Sequence, residues 1–238
     1  MASSLLDLVP QTDNIANIYA SHDNPDESNS AGVVGPDTQA RWSRLLAQFI
    51  SLYNHPPDWV ARSPGRVNII GEHIDYNLYD VLPTAISVDV LVAVKAVASG
   101  DPEARVTIAN VSPERFPSRL FAVPRDTNVE INPAKHEWVN YFKAGLLGAL
   151  KFLRQRQKSI AFAPASLEVL VDGNVPPGGG ISSSAAFVCA SALAVLKAHH
   201  HDVSKQDLLD LAVVSERAVG VYSGGFALYL HVVVKRNH

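Results

Sequence analysis

The chain has 238 residues, 47% of them hydrophobic and 18% charged, with a formal net charge of −3. That length allows one large domain or two small ones around an ample core, and a charge so near neutral excludes any global pull toward nucleic acid or an anionic membrane. The single cysteine, Cys189, excludes an internal disulfide framework and points to a reducing, cytoplasmic setting. Placed among apolar helical neighbours, Cys189 reads as an inert buried thiol. Met1-Ala-Ser-Ser lacks the basic start and apolar core of a secretory signal. The longest apolar run, 226–234, is interrupted by His231 and is too short to span a bilayer.

In chain order, residues 1–36 are rich in Ser, Asp, Asn, Pro and Gly apart from a periodic piece around 15–19, and read as a lead-in with little core of its own. A helix is predicted from Asp37 or Thr38 to about Tyr53, with Trp42, Leu45, Leu46, Phe49 and Leu52 on one face and Pro56-Pro57 ending it. β-type residues then surround a Pro64-Gly65 turn, and strands are predicted over 81–85, 91–97, 105–110 and 118–123. A helix over 137–154 carries Trp138, Phe142, Leu146, Ala149 and Leu153 on one stripe, with Gly145 and Gly148 permitting close approach by a neighbour. A strand over 166–172 leads to a glycine run and a helix bearing Phe187, Ala190, Leu193 and Leu196. His199-His-His201 closes that helix near the negative end of its dipole and reads as a helix end rather than a metal site. Ser204, with Asp207 three residues on, opens a last helix that continues to Gly220.

Two stretches carry chemistry. In Val175-Pro-Pro-Gly-Gly-Gly-Ile-Ser-Ser-Ser-Ala-Ala186, glycines that tolerate φ > 0 run straight into a helix whose first N–H groups have no partner within the helix. Such a junction suits an anion, a phosphate above all. It lacks the lysine of the common G-x-x-x-x-G-K-[S/T] loop, and taken alone it reads equally well as a structural joint. In the second stretch, Arg66, Asn68, Glu72, His73, Asp75 and Asn77 are interleaved with Val67, Ile69 and Ile70. Carboxylates that each accept from two hydroxyls suit a polyhydroxylated ligand, and the pair of stretches suggests a sugar kinase. The same residues also read as a structural ion-pair network, with His73 as a satisfied hydrogen-bonding histidine.

Ser63-Pro-Gly-Arg-Val-Asn-Ile-Ile-Gly-Glu-His-Ile-Asp-Tyr-Asn77 resembles the galactokinase signature, and 176–186 resembles the phosphate-binding motif of the GHMP small-molecule kinases. Ser63 and Ile74 are similar to the fungal branch, which holds both galactokinases and related galactose sensors. The resemblance covers about 42–225. It implies an α+β fold, a ribosomal-protein-S5-domain-2-like N-terminal domain over 37–225 after the 1–36 lead-in, with the family's C-terminal ferredoxin-like domain missing. It implies ATP-dependent phosphorylation of galactose, with Mg²⁺ as the accompanying ion. Arg66 would lie beside the reacting hydroxyl as the catalytic residue. Arg66, Glu72, His73 and Asp75 would hold the sugar. Gly178, Gly179, Gly180, Ser182, Ser183 and Ser184 would wrap the ATP phosphates, with Ser184 and Glu216 at the metal.

The resemblance breaks late in the chain. Where the family continues Gly-Gly-Met-Asp-Gln, with the aspartate as base, this sequence reads Gly224-Gly225-Phe226-Ala227-Leu228, and 226–238 matches nothing in the family. No Asp or Glu occurs in 226–238, so no substitute base is at hand there and turnover is expected to be impaired. That tail is expected either to add a strand to a sheet edge or to remain a disordered end. The alternative function is a non-catalytic galactose and ATP sensor whose partner is a transcriptional repressor. Neither nucleic acid nor a membrane is expected as a partner.

Overall fold

Five consecutive apolar residues, 90–94, leave no polar face for water, so a strand made of them needs cover on both sides. The computed structural model, which describes residues 8–19, 36–70, 82–98, 103–125, 129–135, 137–156, 163–220 and 233–236, provides that cover. Its elements are β1 (Gln11–Thr12), α1 (Ile15–Ile18), α2 (Pro36–Tyr53), β2 (Trp59–Ile70), β3 (Leu82–Val97), β4 (Ala104–Asn110), β5 (Arg119–Val123), α3 (Val139–Arg156), β6 (Ser166–Gly173), α4 (Ser183–Ala198), α5 (Lys205–Glu216) and β7 (Val233–Arg236). The strands form one mixed sheet in the order β1-β7-β2-β3-β6-β4-β5. This is an α+β architecture, as the resemblance implies.

Alternate residues of the central strands feed two cores. Ala61, Val90, Val92, Val94, Val169 and Val171 face α3, α4 and α5, while Val60, Leu91, Ala93 and Leu170 face Trp42, Leu45 and Phe49 of α2 and Ile18 of α1. Buried along nearly its whole length, α4 has no polar face, as befits the middle helix of its layer. Its partner α3 approaches through Gly145: a Cβ there would meet the Val188 carbonyl oxygen at 2.6 Å and Ala192 N at 2.8 Å. The Ser204 hydroxyl caps α5 by accepting from the Asp207 amide at 3.0 Å. His199 commits both ring nitrogens to backbone, with Nε2 accepting from Ala165 N–H at 3.1 Å and Nδ1 lying 2.8 Å from the Val195 carbonyl. No helix among the described residues is long and apolar enough to cross a membrane.

Four expectations change. The Pro64-Gly65 pair is not a turn. β2 runs unbroken from Trp59 to Ile70, and its pairing with β3 slips between Pro64↔Asp89 and Arg66↔Ala85, where two residues of β2 span four of β3, so Gly65 sits at a bulge of the β2–β3 pair. The described part of the first predicted strand, 82–85, and the second, 91–97, belong to one strand, β3, because the charged residue between them, Asp89, is neutralised inside the sheet. Leu52 is 48% exposed and leaves the apolar face of α2. The lead-in also contributes to the core: Val9 and Ile18 are buried, and Tyr19 donates to Asp89 Oδ2 at 3.0 Å. In the tail, 233–236 add a strand beside β2, antiparallel to it, one of the two arrangements expected.

Asp89, fully buried, is the hub of this side of the sheet. Arg41 Nη1 and Arg62 Nε each reach one of its carboxylate oxygens at 2.5 Å, and Arg41 also donates from Nε to Asp172 Oδ2 at 3.1 Å. The Arg62 guanidinium lies 4.4 Å from the centre of the Tyr19 ring, and Trp42 donates to the Tyr19 hydroxyl at 3.0 Å.

The α3–α4 contact yields a prediction of sign. Alanine in place of glycine favours an exposed helix interior by about 1 kcal/mol, but at Gly145 the new methyl meets backbone, and overpacking costs about 1–3 kcal/mol. Gly145→Ala is therefore expected to lower the stability measured by urea unfolding by about 1–2 kcal/mol. An unchanged or raised midpoint would show that α3 and α4 can part at no cost.

Candidate functional site

The two chemical stretches meet. Arg66 N–H donates to the Ile181 carbonyl at 3.0 Å, and a Cβ on Gly65 would lie 3.1 Å from Ile181 O, Val175 Cγ1 and Ile86 Cδ1 alike. The bulge thus receives both ends of the glycine loop, and only a residue without a side chain lets the loop seat so closely.

Arg62 turns to Asp89 on the α2 side, whereas Arg66, itself 6% exposed, lies beyond the register slip, where its charge draws the Glu216 carboxyl at the end of α5 down.

At the loop itself, Gly178 and Gly180 have φ of 76° and 68°, and a Cβ at either would meet nothing within 4 Å. The tip is open. Ser182, the N-cap of α4, takes φ 59° and makes no side-chain capping bond. A non-glycine residue in that left-handed region is costly, and here it aims the following amides outward. Ala186 N–H is the first to find a helical acceptor, the Ser182 carbonyl at 3.0 Å. The amides of Ser183, Ser184 and Ala185 have no acceptor among the described residues. This is the arrangement that holds an anion at a helix N-terminus.

Ser184 Oγ donates to Glu216 Oε1 at 2.6 Å, which links the first turn of α4 to the last of α5. Burial pushes the Glu216 carboxyl up to about 7, against the lowering effects of the Ser184 hydrogen bond and the Arg66 charge. A hydroxyl and a carboxylate are the hard oxygen donors that suit Mg²⁺. Among the described residues no group of three or more His, Cys, Asp or Glu side chains is placed to hold a metal. Behind the site, burial raises the Cys189 thiol to about 12, a value that keeps it unreactive.

Of the residues singled out in the sequence, Arg66, Gly178, Gly179, Gly180, Ser182, Ser183, Ser184 and Glu216 come together. Glu72, His73 and Asp75 lie outside the described residues, as does Ala227. Sequence reasoning missed an aromatic wall: Phe187, one turn into α4 beyond Ser183, stacks on Trp138 with centroids 6.2 Å apart and planes at 8°, and Tyr141 lies 6.3 Å from it. Trp138 and Phe187 each fall on an apolar stripe in the sequence and Tyr141 on none, yet all three are only partly buried.

The chain matches two families, described as the galactokinase galactose-binding signature over residues 47–96 and the GHMP kinases N terminal domain over residues 140–230. A galactokinase of Saccharomyces cerevisiae is 44% identical over 220 residues, 90% of this chain and 41% of that protein. One of Candida maltosa is 41% identical over 191 residues, 79% of this chain and 84% of the relative. The crystal structure of Lactococcus lactis galactokinase complexed with galactose shares the fold, with a TM-score of 0.64 at 22% identity over 79% of this chain and 45% of that one. The chain spans about two fifths of the length of the first curated relatives it matches.

The raised Glu216 carboxyl makes stability depend on pH. The folded state holds this proton up to about 7 while the unfolded chain releases it near 4.5, so folding binds a proton in that window and stability falls as pH rises through it. The loss is up to about 3 kcal/mol for the metal-free protein, with Glu216 only 3% exposed. Urea unfolding at pH 5 and pH 8 is expected to show Glu216→Gln gaining on the parent chain as pH rises. Parallel behaviour of the two would mean that Glu216 is ionised throughout.

Proposed function

This chain belongs to the galactokinase family, and from that premise we propose that it binds galactose and ATP side by side where the Gly65 bulge meets the N-terminus of α4. The observation that carries the reading is the Arg66 to Ile181 hydrogen bond, which joins the sugar signature to the phosphate cradle. The γ-phosphate would rest on the Ser183, Ser184 and Ala185 amides, with the loop glycines giving close backbone approach. Its base would have the Trp138, Tyr141 and Phe187 wall within reach, since an aromatic face stacks on any base. Galactose would occupy the Arg66 side, held by Arg66 with Glu72, His73 and Asp75.

The reaction is phosphoryl transfer. The sugar C1 oxygen bonds to the γ-phosphorus as the bond to the bridging oxygen of ADP breaks, and the hydroxyl proton must leave to a base. Arg66 lowers the pKa of that hydroxyl and stabilises the charge in transfer. Mg²⁺, which Ser184 and Glu216 would hold, would supply charge neutralisation on the phosphates. The proton's destination is what this sequence lacks, because Ala227 stands in the register of the family's aspartate. A positioned base contributes about 10² to 10⁴ in rate, so turnover by this chain is expected to be lower by at least that factor. The same alanine favours a second reading, a galactose and ATP sensor without turnover, whose partner would be a repressor protein. Either activity is placed in the cytoplasm.

The test measures galactose-dependent ADP formation beside a version whose residues from 226 onward are replaced by the corresponding part of the Saccharomyces cerevisiae relative. Binding of both ligands with turnover at least 100-fold below the extended version is expected. Comparable turnover in the two would overturn the role given to the missing aspartate. Arg66→Ala in the extended version is expected to cost about 10² or more in kcat, because it removes charge stabilisation made in the transition state.

A further inference from the structure

The glycine loop is held at its stem by a device that the sequence motif does not include. Asn174, the residue before the loop, makes two reciprocal bonds with one residue of β3: Asp89 N–H donates to Asn174 Oδ1 at 2.7 Å, and Asn174 N–H donates to the Asp89 carbonyl at 3.1 Å. The far end is fastened by Ile181 to Arg66 of β2. Asp89 pairs with Pro64 and Arg66 with Ala85, so the two fastenings fall on either side of the slip between β2 and β3. Between them nothing touches the Cβ positions of Gly178 and Gly180. The loop's conformation is therefore set at its two ends.

We infer that Asn174 and Asp89 are positioning residues for phosphate: through their two-point clamp they preorder the loop so that its amides already converge before the nucleotide arrives. Asp89 cannot drift, since Arg41, Arg62 and Tyr19 fix its carboxylate while its backbone holds Asn174. Asn174 itself is exposed, so its side chain adds nothing to the core and its amide has water as an alternative partner. An exposed asparagine that instead accepts from a main-chain amide inside a sheet limits the freedom of the segment that follows. Preordering of this kind raises affinity by lowering the ordering cost at binding.

The inference rests on the phosphate-cradle reading, and two independent measurements separate them. In the absence of nucleotide, hydrogen exchange of the two clamped amides, those of Asp89 and of residue 174, is expected to quicken about fivefold in Asn174→Ala, the factor one neutral hydrogen bond is worth, with the rest of β3 and β6 unchanged. In the second measurement, Mg²⁺–ADP affinity, followed by calorimetry on the full chain, is expected to fall about fivefold or more in the variant, while galactose affinity stays within twofold. A merely structural role would weaken both ligands together or neither. Unchanged exchange at both amides overturns the clamp. Quickened exchange in a chain whose parent form binds no ADP overturns the phosphate reading and leaves the clamp as a fact of the fold. Equal losses for ADP and galactose overturn the assignment of Asn174 to phosphate.

Discussion

A carboxylate with no exposure to water, set in the middle of a sheet, governs how this molecule is assembled. Removing an ion from water costs several kcal/mol even after relaxation, so Asp89 is tolerated only because two guanidinium groups and a phenol close round it. Those partners come from separate elements: Arg41 from α2, Arg62 from β2 and Tyr19 from the end of α1. Satisfying Asp89 thus fixes the docking of both helices on that face. It also ties β3 to β6 through the second carboxylate on Arg41, Asp172. A hydrophobic residue at 89 would fill the space without dictating any of these placements.

The fixed point at Asp89 gives the bulge its meaning. Pro64 lies opposite Asp89, and immediately beyond it the register slips, so that Arg66 lies opposite Ala85. Proline cannot donate to a ladder and is found within sheets at edges or bulges, so Pro64-Gly65 is a suitable pair for the slip. The loop that closes over it brings Val175 and Ile181 to 3.1 Å from where a Gly65 Cβ would stand. A side chain there would oblige the Ile181 carbonyl and the Val175 and Ile86 side chains to give way. Gly65 serves backbone contact, while Gly178 and Gly180 serve backbone curvature.

Local patterns in the sequence were legible because their causes are local. The α3 stripe, the Ser204 cap and the positive-φ glycines each depend on a few neighbouring residues. What escaped depends on distant partners. Asp89 reads as an interruption between two strands until Arg62, 27 residues away, and Arg41, 48 residues away, are seen to neutralise it. Pro64-Gly65 reads as a turn because proline and glycine favour turns, and only pairing with β3 shows the strand continuing. Trp138 and Phe187 read as members of two apolar stripes because a helical period cannot tell a fully covered ring from a half-covered one. Phe187 of α4 stacks on Trp138, just ahead of α3, a contact that no spacing along the chain announces.

One strand serves two electrostatic tasks on either side of this slip. Arg62 is spent on stability, its charge held against Asp89 on the α2 face. Four positions later, beyond the slip, the charge of Arg66 bears on Glu216 and its amide holds the glycine loop. That charge draws down a carboxyl pushed up to about 7 by burial. At neutral pH the carboxyl is close to its midpoint, so each added positive charge matters for whether it is an anion able to take a cation. The irregularity thereby parts the group that stabilises the sheet from the group that sets the charge of the site.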